Sequence, residues 1–400
     1  MRLNVNDEIF GDLLPLIKDE AITDINYNGK DLWVNDLNNG RYKVDNIKLD
    51  DLFVKNFAQR IANVAKVSFN KSNPLLEGET DELRISILHE DVTNTGYSVS
   101  IRKTPPTRRI HRDTMFKDEY CTEDFDNLMT NAVLAGLNTI VCGLPGTGKT
   151  EYVKYLTQYI PAHEKAITIE DNLEIRYGAI NPDKDCVEVK VSENMTYDMA
   201  IKAAMRQLPT WLLLSEARSV EIEELLKSMS TGTHCLTTIH TDDVRKIPDR
   251  VRNMSKAVNL NDVYTFLDIG ILITSKVDPS GKITRKITQA GFITRDSIKD
   301  ENKIVIFYED GKIITKDVPD DIKRKMLLRG IKDPFGKPNI KEETVTRHLE
   351  DFETVDSKSE TTDKGSDEIK EGDTPSEVTP ETVEKDQNSK GDWYGNKRRK

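Results

Sequence analysis

The octapeptide GLPGTGKT at 143–150 constrains the fold most, because it matches the pattern G-x-x-x-x-G-K-[ST]. It lies between an apolar strand pattern, NTIVC, and a helical pattern, EYVKYL. Glycines let the backbone turn its N–H groups inward, and the start of a helix favours negative charge, so we expect a loop that holds the phosphates of a nucleotide. The residues expected around these phosphates are Gly143, Leu144, Pro145, Gly146, Thr147, Gly148, Lys149, Thr150 and Glu151. Lys149 should reach the β and γ phosphates of ATP, and the Thr150 hydroxyl should bind Mg²⁺.

The segment around this loop, from about 122 to 295, alternates short apolar runs with helical patterns. This alternation predicts an α/β domain with a largely parallel, buried sheet. Its last part, SKVDPSGKITRKITQAGFI, instead predicts an antiparallel hairpin that turns at Pro279-Ser280-Gly281.

The residues before this segment predict a second, smaller domain. Residues 1–103 have an α+β pattern, with a helix near 48–65 that Asp45 or Asn46 could cap. The prolines of TPPTRRIHRD disfavour both helix and strand, so residues 104–121 are interpreted as a linker.

The carboxyl-terminal part divides into two further segments. Residues 296–340 are expected to form a small appendix with a turn at Asp310-Gly311 and a helix. Residues 341–400 contain 17 Asp or Glu and 11 Lys or Arg, and such a polar segment is expected to be a disordered acidic tail. Its last four residues, KRRK, could contact anionic lipid or DNA, although a solubilising run of charge is the simpler interpretation.

Composition excludes several classes of protein. A net charge of −11 argues against a nucleic-acid binder built on a basic surface. No apolar run approaches the about 18 residues that a membrane span needs, and the amino-terminal sequence lacks a basic and apolar leader pattern. The four cysteines lack the paired spacing of a zinc ribbon. We therefore expect a cytoplasmic protein.

Polar residues follow three of the predicted strands. Glu170 ends the strand of AITIEDNLEI, Glu216 and Arg218 follow WLLLS, and His240 follows CLTTI. Because the carboxyl ends of parallel strands meet at one edge of a sheet, these side chains are expected to face the bound nucleotide.

ATP hydrolysis suggests a role for each of these residues. It needs a positioned water, a carboxylate that orients this water, and cations on the γ-phosphate. Glu216 is assigned to the water or the Mg²⁺ shell, Glu170 to Mg²⁺ or the water, and His240 to sensing the γ-phosphate. Arg218 is included as a catalytic cation, and the division of labour between the two glutamates stays open.

The ordered set of segments resembles the secretion-type hexameric ATPases. This group includes the VirB11-like ATPases of type IV secretion and conjugation, the tight-adherence pilus ATPases, and the type II secretion and type IV pilus motors. TIEDNLE resembles the Asp box of the family, LLLSEARSVE its variant Walker B motif, and TGTHCLTTIHTDD its His box. ITDINYNGKDLWV and the strands RISIL and SIRK resemble its amino-terminal domain, so the likeness covers roughly residues 15–330.

The resemblance implies a RecA-like P-loop ATPase domain and Mg-dependent ATP hydrolysis. It also implies a ring, expected to be a hexamer, at the inner face of the plasma membrane, bound to membrane components of a secretion, conjugation or pilus machine. In this family, arginines of the amino-terminal strands approach the nucleotide, which here points to Arg84 and Arg102. Two positions depart from the pattern: Ser215 replaces a common glycine, and Thr233 replaces the first histidine of the His box, which leaves the role of His234 open.

Two other functions remain possible from the sequence. A DNA translocase or helicase could use the same core, although the acidic composition and the Asp and His boxes speak against it. A catalytically silent, nucleotide-responsive scaffold is suggested by the altered His box.

Overall fold

The computed structural model describes residues 3, 5–279 and 281–340, whose strands form a six-stranded and a nine-stranded sheet. The smaller sheet is antiparallel, in the order β3-β2-β1-β6-β5-β4, and belongs to the amino-terminal domain. The elements of this domain are β1 (Ile22–Tyr27), β2 (Leu32–Asp36), β3 (Gly40–Val44), β4 (Leu75–Glu79), β5 (Leu83–Leu88), β6 (Ser98–Lys103), α1 (Leu14–Lys18), α2 (Asp51–Ala65) and 3-10 turns at Asp7–Leu13 and Glu90–Val92.

Helix α2 begins later than the sequence suggested. The side chain of Asp50 accepts a hydrogen bond from the backbone N–H of Phe53 at 2.6 Å, so Asp50 is the cap and neither Asp45 nor Asn46 is. The buried residues of the helix recur at spacings of three and four, as a helix packed on one face requires: Val54, Phe57, Ala58, Ile61, Ala62 and Ala65.

The nine-stranded sheet forms the second domain, in the order β15-β14-β13-β12-β7-β11-β10-β8-β9. The strands from β12 to β9 are parallel, whereas β13, β14 and β15 extend the sheet in antiparallel fashion. The strands are β7 (Thr139–Cys142), β8 (Ala166–Glu170), β9 (Cys186–Lys190), β10 (Trp211–Leu214), β11 (His234–Ile239), β12 (Ile269–Val277), β13 (Ile283–Asp296), β14 (Glu301–Glu309) and β15 (Lys312–Ile313). The predicted α/β class, parallel sheet and hairpin are confirmed.

Helices cover both faces of this sheet. They are α3 (Arg112–Met115), α4 (Glu123–Leu134), α5 (Lys149–Thr157), α6 (Tyr177–Ile180), α7 (Tyr197–Met205), α8 (Glu221–Ser230), α9 (Ile247–Arg252), α10 (Leu260–Phe266) and α11 (Asp320–Leu328), with a 3-10 turn at Val244–Lys246. Side chains of α4, α5 and α11 pack on one face, and those of α7 to α10 pack on the other. The central strands are therefore buried on both sides, which explains why they are apolar at nearly every position.

Residues 296–340 continue this domain. The boundary that the sequence suggested after residue 295 falls inside β13, and β14 pairs with β13 along its length. The helix predicted in this segment is α11, whose side chains Ile322 and Met326 are fully buried in the same core as α4. Because these residues share both the sheet and the core, they are an integral edge of the second domain.

The segment interpreted as a linker is bound to the second domain. Arg108 donates to the carbonyl oxygen of Lys154 at 3.3 Å, and Lys154 donates to that of Pro105 at 3.2 Å. Arg112, in α3, lies 3.3 Å from the buried carboxylate of Asp126. These contacts fix the path by which the chain enters the second domain.

In the part of the chain that the structure describes, no helix combines the length and the apolar character needed to cross a membrane. The predicted disordered tail and its terminal KRRK lie outside the described residues.

Candidate functional site

The phosphate loop, residues 143–150, joins β7 to α5 as the motif predicts. Its glycines, Gly143, Gly146 and Gly148, have φ angles of 151°, 79° and 90°, which side-chain-bearing residues rarely adopt. A Cβ atom on Gly143 would lie 2.4 Å from the carbonyl oxygen of Ile273, whereas one on Gly146 would meet no atom of the described residues within 4 Å. The loop is thus closely packed against β12 at Gly143 and has open space at Gly146, where a phosphate could bind.

Lys149 lies at the centre of this loop and is only 8% exposed. Its Nζ lies 3.1 Å from the carbonyl oxygen of Gly143, 3.2 Å from that of Leu144, and 3.3 Å from Nδ1 of His240. Burial lowers the pKa of Lys149, and the nearby carboxylate of Glu216 opposes that shift. The ammonium group is therefore held beside the loop by weak neutral acceptors that an anionic phosphate could replace.

The hydroxyl of Thr150 faces a carboxylate that the sequence analysis did not select. Thr150 Oγ1 donates to Glu174 Oε2 at 3.0 Å. Glu174 lies in the loop between β8 and α6, four residues beyond the strand end. The only signal for it in the sequence was a third carboxylate in TIEDNLE, after Glu170 and Asp171.

Glu170 lies in a different environment. It is fully buried, and its Oε1 accepts the backbone N–H groups of Glu174 at 3.0 Å and Ile175 at 2.9 Å. Burial raises the pKa of Glu170 to about 8, partly offset by these two hydrogen bonds. Its carboxyl group thus supports the loop that carries Glu174, and the structure does not bring it to Thr150.

Glu216, His240 and Arg218 form one connected group at the carboxyl edge of the sheet. Glu216 Oε1 lies 2.9 Å from His240 Nε2, and Oε2 lies 2.9 Å from Arg218 Nη2. Arg218 also reaches the carboxylate of Asp171 at 3.1 Å. Since His240 contacts Lys149 through its other ring nitrogen, the group is continuous with the phosphate loop. The structure therefore brings together Glu216, Arg218 and His240, as predicted from their strand ends, but does not include Glu170 in this group.

Arg84 and Arg102 lie opposite each other on β5 and β6 and line a cleft between the two domains together with Glu174. Arg102 Nε is paired with the carboxylate of Asp24 at 2.8 Å. Within residues 3, 5–279 and 281–340, Arg84 forms no ion pair. The two arginines thus line the same cleft, but among the described residues the guanidinium group of Arg102 is held in an ion pair and that of Arg84 is not.

His234 lies at the opposite end of the sheet from the phosphate loop, because it begins β11 whereas His240 follows the end of that strand. Its ring lies 5.1 Å from that of Trp211, and its Nε2 lies 3.4 Å from Arg329. A Cβ atom on Gly136 would lie 2.4 Å from this ring. The sequence left the role of His234 open, and its position and contacts show that it lies outside the site.

Arg285, on β13, is a site residue that the sequence analysis missed. Its Nε donates to the carbonyl oxygen of Gly146 at 3.1 Å. In a trans peptide the N–H points away from the carbonyl oxygen, so this bond turns the N–H of Thr147 to the other side. No motif marks this arginine, since it comes from an antiparallel strand far along the chain.

The donor set around Thr150 fits a magnesium ion. Mg²⁺ prefers oxygen ligands and is commonly held by one or two carboxylates together with substrate phosphates and waters. Thr150 and Glu174 offer oxygens of this kind beside the phosphate loop. No cluster of three or more His, Cys, Asp or Glu residues suited to a metal occurs in the described parts of the chain.

Curated relatives share parts of this chain. An uncharacterized protein of Bacillus anthracis is 31% identical over 289 residues, which is 68% of this chain and 65% of that protein. Protein VirB11 of Agrobacterium fabrum is 28% identical over 161 residues, 38% of this chain and 45% of that protein. The chain therefore spans less than two thirds of the length of either relative.

A solved structure and a family model address the fold and the family. The X-ray structure of the Legionella pneumophila ATPase DotB matches with a TM-score of 0.51 and 14% identity, covering 74% of this chain and 85% of that one, which supports the fold alone. The family model described as "Type II/IV secretion system protein" matches residues 74–294, more than half of the 400 residues. The RecA-like fold and the family resemblance inferred from the sequence are both confirmed, and the chain belongs to the type II/IV secretion system protein family.

Proposed function

We propose that this chain hydrolyses ATP with Mg²⁺ and acts as a subunit of a homo-oligomeric ring, a hexamer, that drives a secretion, conjugation or pilus apparatus. The observation that carries the proposal is the continuous contact from the phosphate loop through Lys149 and His240 to Glu216. These groups supply a phosphate cradle, a cation, and a carboxylate at one edge of the sheet.

The phosphate loop would hold the triphosphate through its inward N–H groups, and Arg285 would keep the Gly146 peptide in the required orientation. Lys149 would exchange its contacts with the carbonyl oxygens of Gly143 and Leu144 for the β and γ phosphates. Its charge then stabilises the transition state of phosphoryl transfer more than it stabilises the bound ATP.

We propose Glu174 as the carboxylate that binds Mg²⁺, in place of Glu170, which the sequence suggested. Glu170 is buried, and its raised pKa favours the protonated acid, which is a poor ligand for a cation. Thr150 and Glu174, directly or through water, would hold Mg²⁺. When bound, the ion neutralises charge on the β and γ phosphates.

Glu216 is the proposed carboxylate for the attacking water. Its two oxygens contact different partners, His240 and Arg218, so the carboxylate is fixed in orientation. His240 bridges Glu216 and Lys149, which suits a residue that registers the presence of the γ-phosphate. Arg218 steadies Glu216 and is itself held by Asp171.

Arg84 is the stronger candidate for an arginine that acts on the nucleotide across the domain cleft. Arg102 is paired with Asp24, whereas Arg84 has no ion-pair partner among the residues that the structure describes. Such an arginine completes the site when domains or neighbouring subunits close. We place the ring in the cytoplasm, at the inner face of the plasma membrane, with integral membrane components of the apparatus as its partners.

The test is steady-state ATP hydrolysis by the full-length protein over a range of protein concentrations, with light scattering on the same samples. Specific activity should rise as rings form. Arg84→Ala should lose about tenfold or more in rate, whereas Arg102→Ala should lose less. Absence of hydrolysis under conditions where rings form would instead favour a nucleotide-responsive scaffold, and equal activity per subunit at all concentrations would contradict the shared site.

A further inference from the structure

The loop of residues 171–176, here called the Glu174 loop, is anchored inside the second domain at its start, where Arg218 pairs with Asp171, and at its middle. The buried carboxylate of Glu170 accepts the backbone N–H groups of both Glu174 and Ile175. These bonds hold the middle of the loop to the end of β8. The side chain of Glu174 then reaches the hydroxyl of Thr150 in the phosphate loop.

The last residue of the same loop is anchored in the other domain. Arg176 Nη2 donates to the carbonyl oxygen of Asp81, in the turn between β4 and β5. The same nitrogen lies 3.5 Å from Thr104 Oγ1, where the chain leaves the amino-terminal domain. The Glu174 loop is therefore held by both domains within three consecutive residues.

Arg176 has two energetically unfavourable features, a buried and partly unpaired guanidinium group and a left-handed backbone conformation. The side chain is only 9% exposed, and its Nε has no hydrogen-bond partner among the described atoms. A buried guanidinium with unpaired donors is unfavourable. Its backbone has a φ angle of 55°, a left-handed conformation that non-glycine residues adopt at a cost.

The path from Arg176 to Glu174 is short and stiff. Only Ile175 separates them, and its N–H is bonded to Glu170. On the other side, the carbonyl oxygen of Arg176 accepts the N–H of Ile180 at 3.1 Å, which fixes the start of α6. A displacement of the turn around Asp81 therefore either breaks the hydrogen bond from Arg176 or is passed to the backbone beside Glu174.

We propose that Arg176 is a positioning residue that couples the amino-terminal domain to the metal-site carboxylate Glu174. In the arrangement described here the anchors of the Glu174 loop in both domains are satisfied, and Glu174 contacts Thr150. When the amino-terminal domain moves away, the contact of Arg176 with Asp81 is stretched or lost, the support of the Glu174 loop from that domain goes with it, and the Glu174–Thr150 geometry changes. The inference rests on the proposed function, because it assumes that this geometry holds Mg²⁺.

The experiment measures metal binding in the full-length protein with ADP, using Mn²⁺ detected by electron paramagnetic resonance as the probe. Arg176→Ala should raise the dissociation constant for Mn²⁺ about fivefold, while ADP affinity without metal and the melting temperature stay near wild type. Lys190→Ala is the matched control. It removes another contact between the domains, the ion pair with Glu79, but lies on β9 outside the Glu174 loop, so it should leave Mn²⁺ binding within about twofold.

The route through Glu174 is tested by combining variants. In a Glu174→Gln background, Arg176→Ala should cause no further loss of Mn²⁺ affinity, because the carboxylate that it positions is already gone. Arg176→Lys keeps one donor for the Asp81 carbonyl and should give an intermediate dissociation constant. This variant also keeps the test open if Arg176→Ala folds poorly.

Three outcomes would overturn the coupling. Mn²⁺ binding could be unchanged in Arg176→Ala, the effects of Arg176→Ala and Glu174→Gln could multiply, or Lys190→Ala could cause the same loss. Any of these with normal ADP binding by the wild type rejects the role of Arg176 and leaves the nucleotide site intact. A wild-type protein that binds no ADP rejects the proposed function as well.

Discussion

The phosphate loop and the Glu174 loop face each other across the site, and they are supported in different ways. The phosphate loop is one contiguous stretch whose conformation depends on its own glycines and on internal bonds, such as Thr147 Oγ1 donating to the carbonyl oxygen of Leu144 at 3.0 Å. The Glu174 loop depends on Glu170 from the sheet, on Arg218 through Asp171, and on the other domain through Arg176. The conformation of the phosphate loop, the first wall of the site, is thus specified by the local sequence. That of the Glu174 loop, the second wall, is specified by the tertiary structure.

The largest effect is expected on the locally specified wall. Lys149→Ala should lower the rate of ATP hydrolysis about 100-fold or more, because it removes the cation that meets the β and γ phosphates. The exposed Lys202→Ala on α7 is the control and should behave as wild type. Phosphate release above a tenth of the wild-type rate would remove Lys149 from the mechanism.

Glu216→Gln tests the group that connects the two walls. The amide keeps the shape of the side chain but loses the anion, so hydrolysis should fall about 100-fold while ATP affinity changes less than about threefold. Stopped-flow binding of a fluorescent nucleotide and phosphate release measure the two quantities separately. If both stay at the wild-type level, Glu216 has only a structural role.

A matched pair of variants separates the two carboxylates of the second wall. Glu174→Gln should raise the Mg²⁺ concentration for half-maximal hydrolysis about tenfold. Glu170→Gln should change it less than about twofold, because burial already favours the protonated form and glutamine mimics it. The reverse result in a Mg²⁺ titration would restore the metal role that the sequence assigned to Glu170.

A further effect concerns stability and pH. Burial raises the pKa of Glu170 from an ordinary 4.5 to about 8, so between these values the folded chain holds a proton that the unfolded chain has released. The stability from this group is therefore lost as the pH rises toward 8, at up to ~1.4 kcal/mol per pH unit.

Glu170→Gln removes this titration. Relative to the variant, the wild-type free energy of unfolding should fall between pH 6 and pH 8, which urea unfolding at several pH values would measure. A constant difference between the two proteins across this range would mean that Glu170 is ionised in the folded state.

The difference between the walls also explains what the sequence could predict. The strand before Gly143, the helix after Gly148 and the place of Lys149 follow from local rules of backbone conformation and were predicted. The meeting of Glu216 with His240 was predicted as well, because parallel strands place their carboxyl ends at one edge.

The sequence did not indicate the contacts in which a side chain's partner comes from elsewhere. Glu170 and Glu174 are both carboxylates in one short segment, and only the burial of the end of β8 decides which of them faces Thr150. Arg285 and Arg176 depend on an antiparallel strand and on the other domain. The cap of α2 was misplaced for a simpler reason, since several acidic and amide side chains precede this helix and Asp50 lies closest to its first turn.

The contacts at the edge of the second domain bear on how the chain folds during synthesis. Asn131, in α4, donates to the carbonyl oxygens of Pro334 and Gly336, each at 2.9 Å, across more than 200 residues of sequence. Strand β7, which leads into the phosphate loop, also has β12 as a neighbour. Contacts so distant along the chain form late and slowly. On the ribosome, the nascent chain therefore carries the phosphate-loop motif long before β12 can support it, and α4 lacks these two backbone partners until residue 336 has emerged.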